Sequence, residues 1–281
     1  MRDDELSTAR ITGLATLERA VAEVGSLFSR ATPAIWRGQA NAAWPLRAAM
    51  FRPFADGRRY DEPALMHGFV THAQSRQPNC PPLDDAVGWL LLARRAGLPT
   101  RLLDWTLSPL VALYFAAQPD PAAPDSDGCL WAVDPGVLNF PITGRRALAS
   151  ARDPAVLPLF AAAFPDPAER EPEADSVAAF LGTEALGVLD PSMTAQQGCH
   201  TIHQDGKDIT ELDNRYVNDP VQPNPVWRRA FLVPRAGKRH LLDLLAALGT
   251  HRSTLFPDLP TLADHLASTT PLKTDDAAEI F

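Results

Sequence analysis

Apolar residues recur at helical spacing through residues 14–30, LATLERAVAEVGSLFSR, which predicts an opening amphipathic helix ended by Pro33. AIWRGQ, residues 34–39, reads as a short strand stopping at Gly38, and Pro45 and Pro53 forbid a long helix over 42–53. EPALMHGFVTHAQ, 62–74, has proline in its first turn and apolar residues at Leu65, Met66, Phe69 and Val70, so a helix is expected. A second helix is expected over 84–97, opened by Asp84 and Asp85 and closed by Gly97, with Pro99 preventing its restart. TRLLDWT, 100–106, reads as a short buried strand or extended turn. Ser108 and Pro109 then form the cap-then-proline start of a helix over 108–118.

The pattern changes further on. GCLWAVDP, 128–135, predicts a hydrophobic strand. Residues 145–190 are rich in Ala, Pro and Glu and broken by Pro154, Pro158, Pro165 and Pro172, which reads as an insertion of short helices at the periphery. MTAQQGCHTIHQ, 193–204, reads as a turn entering a strand, and RRAFLVP, 228–234, as another strand. KRHLLDLLAALG, 238–249, predicts a strong helix ended by Gly249, and 260–267 a short closing one. The expectation is one domain over 1–270 of mixed α+β class, with 271–281 a flexible tail.

Composition narrows the function classes. A hydrophobic share of 46% and a charged share of 21% are ordinary for a globular chain of 281 residues. No run approaches the roughly 20 apolar residues that cross a bilayer, and the charged start MRDDELSTAR does not read as a signal peptide. Cys80, Cys129 and Cys199 are too few and scattered for a disulfide framework. These features lead to the expectation of a cytoplasmic protein without a membrane partner. The net charge of −8 argues against broad phosphate-driven nucleic-acid binding, although arginines cluster at Arg94, Arg95 and Arg101 and again at Arg228, Arg229 and Arg235.

Three segments carry candidate chemistry. In Trp36-Arg37-Gly38-Gln39 a guanidinium ends a hydrophobic strand beside a glycine, an arrangement suited to phosphate or carboxylate recognition. The alternative is that Arg37 satisfies a carboxylate or loop carbonyls. In Thr100-Arg101-Leu102-Leu103-Asp104-Trp105-Thr106, Asp104 and Thr106 share one side of an extended chain and can hold a ribose or amide, with Trp105 walling a pocket. The alternative is that Asp104 caps the next helix or pairs with Arg37 or Arg101. In Gln196-Gln197-Gly198 an amide can reach a ligand where the backbone passes close, or merely satisfy a turn. Cys199, His200 and His203 lack zinc spacing: on a strand Cys199 and His203 share a face that His200 does not, and no metal is expected.

These blocks together resemble the FRG domain, a bacterial and phage-associated family with a Phe-Arg-Gly signature, here Trp36-Arg37-Gly38 followed by Gln39. GLPTRLLDWTLSPLVALYFA, 97–116, is similar to the family's central block. Gln196-Gln197-Gly198 and LFPDLP, 255–260, resemble its downstream blocks, so the likeness runs from about 30 to 265. The family's Gln-His pair before Gly-Leu-Pro is replaced by Arg94-Arg95-Ala96. A more distant similarity is to ADP-ribosyltransferases, through Arg37, then Asp104-Trp105-Thr106 before Ala112-Leu113-Tyr114-Phe115-Ala116, then Gln196-Gln197. That likeness implies a split β-sheet core flanked by helices and NAD as substrate. Arg37, Asp104, Thr106 and Gln197 would then take the catalytic positions, and Arg37, Gly38, Gln39, Thr100, Arg101 and Trp105 the cofactor-binding ones. Gln197 would stand where the transferases place a glutamate, with Asp104, Glu184 or Glu211 as substitute acids. The partner implied is a nucleotide, with a protein or nucleic acid as target of a toxin or defence effector. The rival reading is a non-catalytic module binding a nucleotide, nucleic acid or protein through the same pocket.

Overall fold

The structure, a computed structural model, describes residues 6–28, 32–164, 176–181, 191–212 and 226–270. Eight strands among them form a single sheet. In chain order these are β1 (Leu6–Arg10), β2 (Ile35–Gln39), β3 (Leu102–Thr106), β4 (Gly128–Val133), β5 (Ala149–Ser150), β6 (Val177–Leu181), β7 (Gly198–His203) and β8 (Arg228–Val233). Their order across the sheet is β1-β8-β4-β2-β3-β7-β6-β5, antiparallel except at the two outer pairs. The α+β class expected from the sequence holds.

The helices begin where side chains cap them. Asp61 accepts a hydrogen bond from Ala64 N to open α2 (Glu62–Ala73), and Ser108 accepts one from Val111 N to open α4 (Pro109–Ala116). Asp85 precedes α3 (Ala86–Arg95) as its cap and accepts from Gly88 N, so Asp84 and Asp85 stand before the first turn rather than in it. The strand expected over 128–135 ends two residues early. Asp134 accepts from Gly136 N and Val137 N and starts α5 (Pro135–Thr143), a helix the periodicity did not reveal.

One face of the sheet carries two separate helical layers. Over β8, β4 and β2, residues such as Trp36, Leu130 and Phe231 pack with α1 (Leu14–Leu27), α4 and α8 (Lys238–Ala247). Over β3, β7 and β6, Leu102, Ile202 and Phe180 pack with α2, α3 and α6 (Leu157–Ala161). The opposite face buries Ile35, Leu103, Trp105, Trp131 and Cys199 against α5 and the segment around Ile209. The two layers part over the join between β2 and β3, and that join is the weakest in the sheet. Trp36 and Thr106 are its one paired position, whereas β2 meets β4 at five. The sheet is therefore continuous rather than split, with a seam at its centre.

The structure differs from the sequence reading over one stretch and adds a strand at another. Within 145–190, where the sequence reads only short helices, the described residues include β5 and β6, which extend the central sheet, and α6, which packs with α3. Strand pairing with β7 supplies the order that proline-rich local sequence does not. The charged N-terminal segment contains β1, which pairs in parallel with β8 from the far end of the chain.

β5 has only two residues and reaches Phe180 and Leu181 of β6 but not Ala179. Asn139 of α5 takes the missing strand's place: its amide accepts from Ala179 N and donates to Ala179 O and Ala147 O, each at 2.7 Å. Replacing Asn139 by alanine leaves buried main-chain groups unpaired, at about 1–3 kcal/mol apiece. A lower urea midpoint for N139A is the expected result, and an unchanged midpoint would show that water takes over these bonds.

Candidate ligand-binding cleft

A cleft opens over the β2–β3 seam as two adjoining cavities. The first, about 300 Å³, lies between the seam and α4 and is lined by Trp36, Arg37, Gly38, Trp44, Phe115 and their neighbours. The second, about 470 Å³, lies between α3, the turn before β7 and the segment Phe256-Pro257-Asp258. Asp104 and Gln196 line both and form the partition between them. Here α9 (Arg252–Leu255) and α10 (Leu259–Thr269) flank the wall that Phe256, Pro257 and Asp258 provide.

Arg37 crosses the seam. Its Nη1 donates to the main-chain carbonyl of Asp104 at 2.6 Å, so a β2 side chain satisfies a β3 carbonyl where the ladder is unzipped. Its Nε is buried without a hydrogen-bond partner. Burial pushes the Arg37 guanidinium down to about 10; Asp104 opposes that shift, and Arg52 and Arg94 add to it. The group stays cationic at neutral pH. Arg52 is lowered in the same way, first by burial and then by Arg94 and Arg47. Several guanidinium groups thus crowd the Asp104 carboxylate.

That carboxylate is held from two sides. Arg94 of α3 binds it in a fork, with Nε donating to Oδ1 at 3.0 Å and Nη2 to Oδ2. His200 Nδ1 lies 3.2 Å from Oδ1, with its ring tilted over Phe180. Burial works to raise the Asp104 pKa, but His200 and Arg94 outweigh it and hold the group well below the usual carboxylate range. The side chain remains 41% accessible, so this fixed anion faces the cleft.

The site residues expected from the sequence separate into two sets. Arg37, Gly38, Asp104, Trp105 and Thr106 all line the first cavity. Gly38 is there because α4 lies on β2 at main-chain distance. Thr106 donates its hydroxyl to Gln196 O at 2.5 Å and accepts from Ser108 N, so it ties the end of β3 to the β7 turn. Trp105 contributes to the wall, but its indole points to the opposite face of the sheet and donates to Thr201 Oγ1. Gln39 is buried, accepting from Trp131 Nε1 and donating to Pro45 O.

Thr100 and Arg101 lie outside both cavities. Thr100 is buried and accepts from Leu102 N. Arg101 is committed to Glu62, Gln204 and two main-chain carbonyls. Asp104 therefore pairs with neither Arg37 nor Arg101, the partners weighed from the sequence, but with Arg94 and His200.

The glutamine turn also resolves. α7 (Pro191–Ala195) ends with Gln197 in the left-handed region, at φ 47, which turns Gln197 outward and leaves it exposed. Gln196 is the glutamine on the cleft wall, its Nε2 donating to Leu255 O. Of the substitute acids, Glu211 is exposed, accepts from Asp208 N and lines neither cavity, and Glu184 lies outside the described residues. The faces of β7 follow the expected alternation, with Cys199 and His203 on one side and His200 on the other. Burial, reinforced by Arg37 and Arg101, pushes His203 down to about 3 and keeps it neutral.

Arg94, His200 and Phe256 were not assigned to the site from the sequence. The arginine cluster and the LFPDLP block were signals for two of them, but nothing local ties either to Asp104.

Comparison with known families bears on this cleft directly. Residues 32–125 match the family model of the FRG domain. The chain carries an FRG domain. The match spans β2 through most of the segment between α4 and β4, so it contains Arg37, Gly38, Arg94, Asp104 and Thr106. Gln196 and Phe256 lie beyond it yet close the FRG domain's cleft from above. No curated protein and no solved structure matches the chain. Among the described residues no helix is long and apolar enough to cross a membrane.

Proposed function

We propose that the cleft binds NAD or a related phosphate-bearing nucleotide, in the manner of an ADP-ribosyltransferase-like domain. The observation that carries this reading is the crowding of Arg37, Arg52 and Arg94 around one carboxylate at the junction of two cavities. Such a site has cationic charge left over for an anion, and the Arg37 Nε–H is a donor without an acceptor. A pyrophosphate over the partition would meet Arg37 from one cavity and Arg94 from the other. Asp104 could then accept ribose hydroxyls from below.

Arg37→Ala is expected to weaken NAD binding about 10- to 100-fold, as loss of a charge-assisted contact does. Isothermal calorimetry on the purified chain measures this. Equal affinity in wild type and R37A would remove the basis of the proposal.

A second reading is favoured by one specific feature. Transfer of ADP-ribose breaks a glycosidic bond and develops positive charge on the ribose, which a free carboxylate stabilises far better than an amide. Among the described residues lining the cavities the carboxylates are Asp104 and Asp258, and Asp104 is already engaged by Arg94 and His200. Gln196 supplies hydrogen bonds but no charge. A non-catalytic nucleotide-binding module accounts for that arrangement. Release of nicotinamide from bound NAD, followed by chromatography, separates the two: release requires the enzyme, and binding without release supports the module.

A further inference from the structure

Trp44 is the one indole in the first cavity that the fold leaves free. Trp36 is buried in the helical layer and Trp105 is turned to the opposite face, but Trp44 is 41% accessible at the cavity mouth. Exposing so large an apolar ring on a loose loop would be unremarkable. This loop is held at several points. Asn41 Nδ2 donates to Asp120 Oδ2 at 2.9 Å, and Ala42 N donates to Asp127 O at 2.8 Å. Trp44 N closes the turn onto Asn41 O, and Lys238 Nζ, itself buried, donates to Ala40 O at 2.5 Å. The indole is thus presented on a braced turn, with its ordering entropy already spent in folding.

The rest of the cavity complements a flat ring. Val111, Ala112 and Phe115 of α4 give it an apolar wall, and Arg37 and Asp104 are among its polar lining residues. Its volume of about 300 Å³ suits a single ring system and not a whole dinucleotide. Resting on the nucleotide reading above, we infer that Trp44 stacks on the planar heteroaromatic ring of the ligand whose phosphate Arg37 holds. The ring occupies the α4 cavity, the phosphates lie over Asp104 between Arg37 and Arg94, and the remainder of the ligand extends into the larger cavity. Stacking explains why an indole, rather than a polar side chain, is braced at this point.

Calorimetric titration of the full chain with NAD, AMP, nicotinamide mononucleotide and ribose 5-phosphate tests this, using wild type, Trp44→Ala and Trp44→Phe. Trp44→Ala is expected to weaken NAD binding roughly five- to a hundredfold, as loss of a base stack does, and Trp44→Phe to restore most of it. Ribose 5-phosphate, which has no ring to stack, should bind W44A within about twofold of wild type. One of the two mononucleotides should lose affinity with NAD, and which one does so names the ring. Because Trp44 is exposed, the thermal midpoint of W44A should match wild type, which separates lost stacking from lost folding. Unchanged NAD affinity in W44A, with Arg37→Ala still impaired, would overturn the stacking role and leave the nucleotide reading in place. Equal loss of ribose 5-phosphate would also overturn it. If wild type binds none of the four, the nucleotide reading and this inference fail together.

Discussion

Replacing Gly38 by alanine is expected to destabilise the chain by at least about 3 kcal/mol, through overpacking between two main chains. A Cβ at this position would stand 1.8 Å from Ala112 O and 2.4 Å from Ala116 N, both main-chain atoms of α4. No rotamer change relieves such a clash. The helix must move off β2, and it is also held by β4, where Gly128 lies against Ala116 O. Moving α4 would shift Val111, Ala112 and Phe115, so the first cavity should lose its shape along with the fold's stability. Gly68→Ala provides the contrast: a Cβ there meets nothing within 4 Å in the middle of α2. That change is expected to stabilise by about 0.5–1 kcal/mol through helix propensity. Paired urea denaturation curves measure both. Equal midpoints for G38A and wild type would show that α4 can slide without penalty.

The second large effect is expected at Glu62. Arg101 is 4% exposed and has every donor occupied. Nε donates to Glu62 Oε1 at 3.1 Å, Nη2 to Glu62 Oε2 at 2.5 Å and to Ala162 O, and Nη1 to Leu159 O and Gln204 Oε1. Among the described residues the carboxylate that pairs with it is Glu62, also buried, at the first position of α2. Glu62→Ala would leave a buried guanidinium without a counter-charge, a change that typically costs about 3–5 kcal/mol. The thermal midpoint should fall by on the order of 10 °C. Replacing both residues together, Glu62→Gln with Arg101→Met, should recover part of that loss, since the uncompensated charge goes with the arginine. If E62A melts like wild type, water or Gln204 must neutralise Arg101 instead. Both predictions concern the frame around the cleft, and Gly38 and Arg101 belong to stretches whose motifs invite a functional explanation.

Much of the frame was legible in the chain. Cap residues and prolines act on their own helix, so Pro63 with its apolar spacing and Ser108 with Pro109 located α2 and α4 without reference to anything distant. Apolar periodicity located β2, β4, β7 and β8 for the same reason. Asp134 with Pro135 is the same local signal, overlooked because the strand before it runs directly into the cap. β1 and β6 were not legible. Their order comes from pairing with β8 and β7, partners about 220 and 20 residues away, counted from β1 at Leu6 to β8 at Arg228 and from Val177 of β6 to Gly198 of β7.

The amino-acid sequence by itself determined the α+β class, the positions of the main helices and the face that each β7 side chain takes. It also placed Arg37, Asp104 and Thr106 among the residues of one site. Tertiary structure decided the partners: Arg94 and His200 for Asp104, Glu62 for Arg101, and Gln196 rather than Gln197 for the cleft wall. The reason is physical. Periodicity and capping specify which face of an element is buried, and a face is a local property. Which polar groups meet across that face depends on the register of strands and the placement of helices over them, and those are settled only when the whole sheet has assembled.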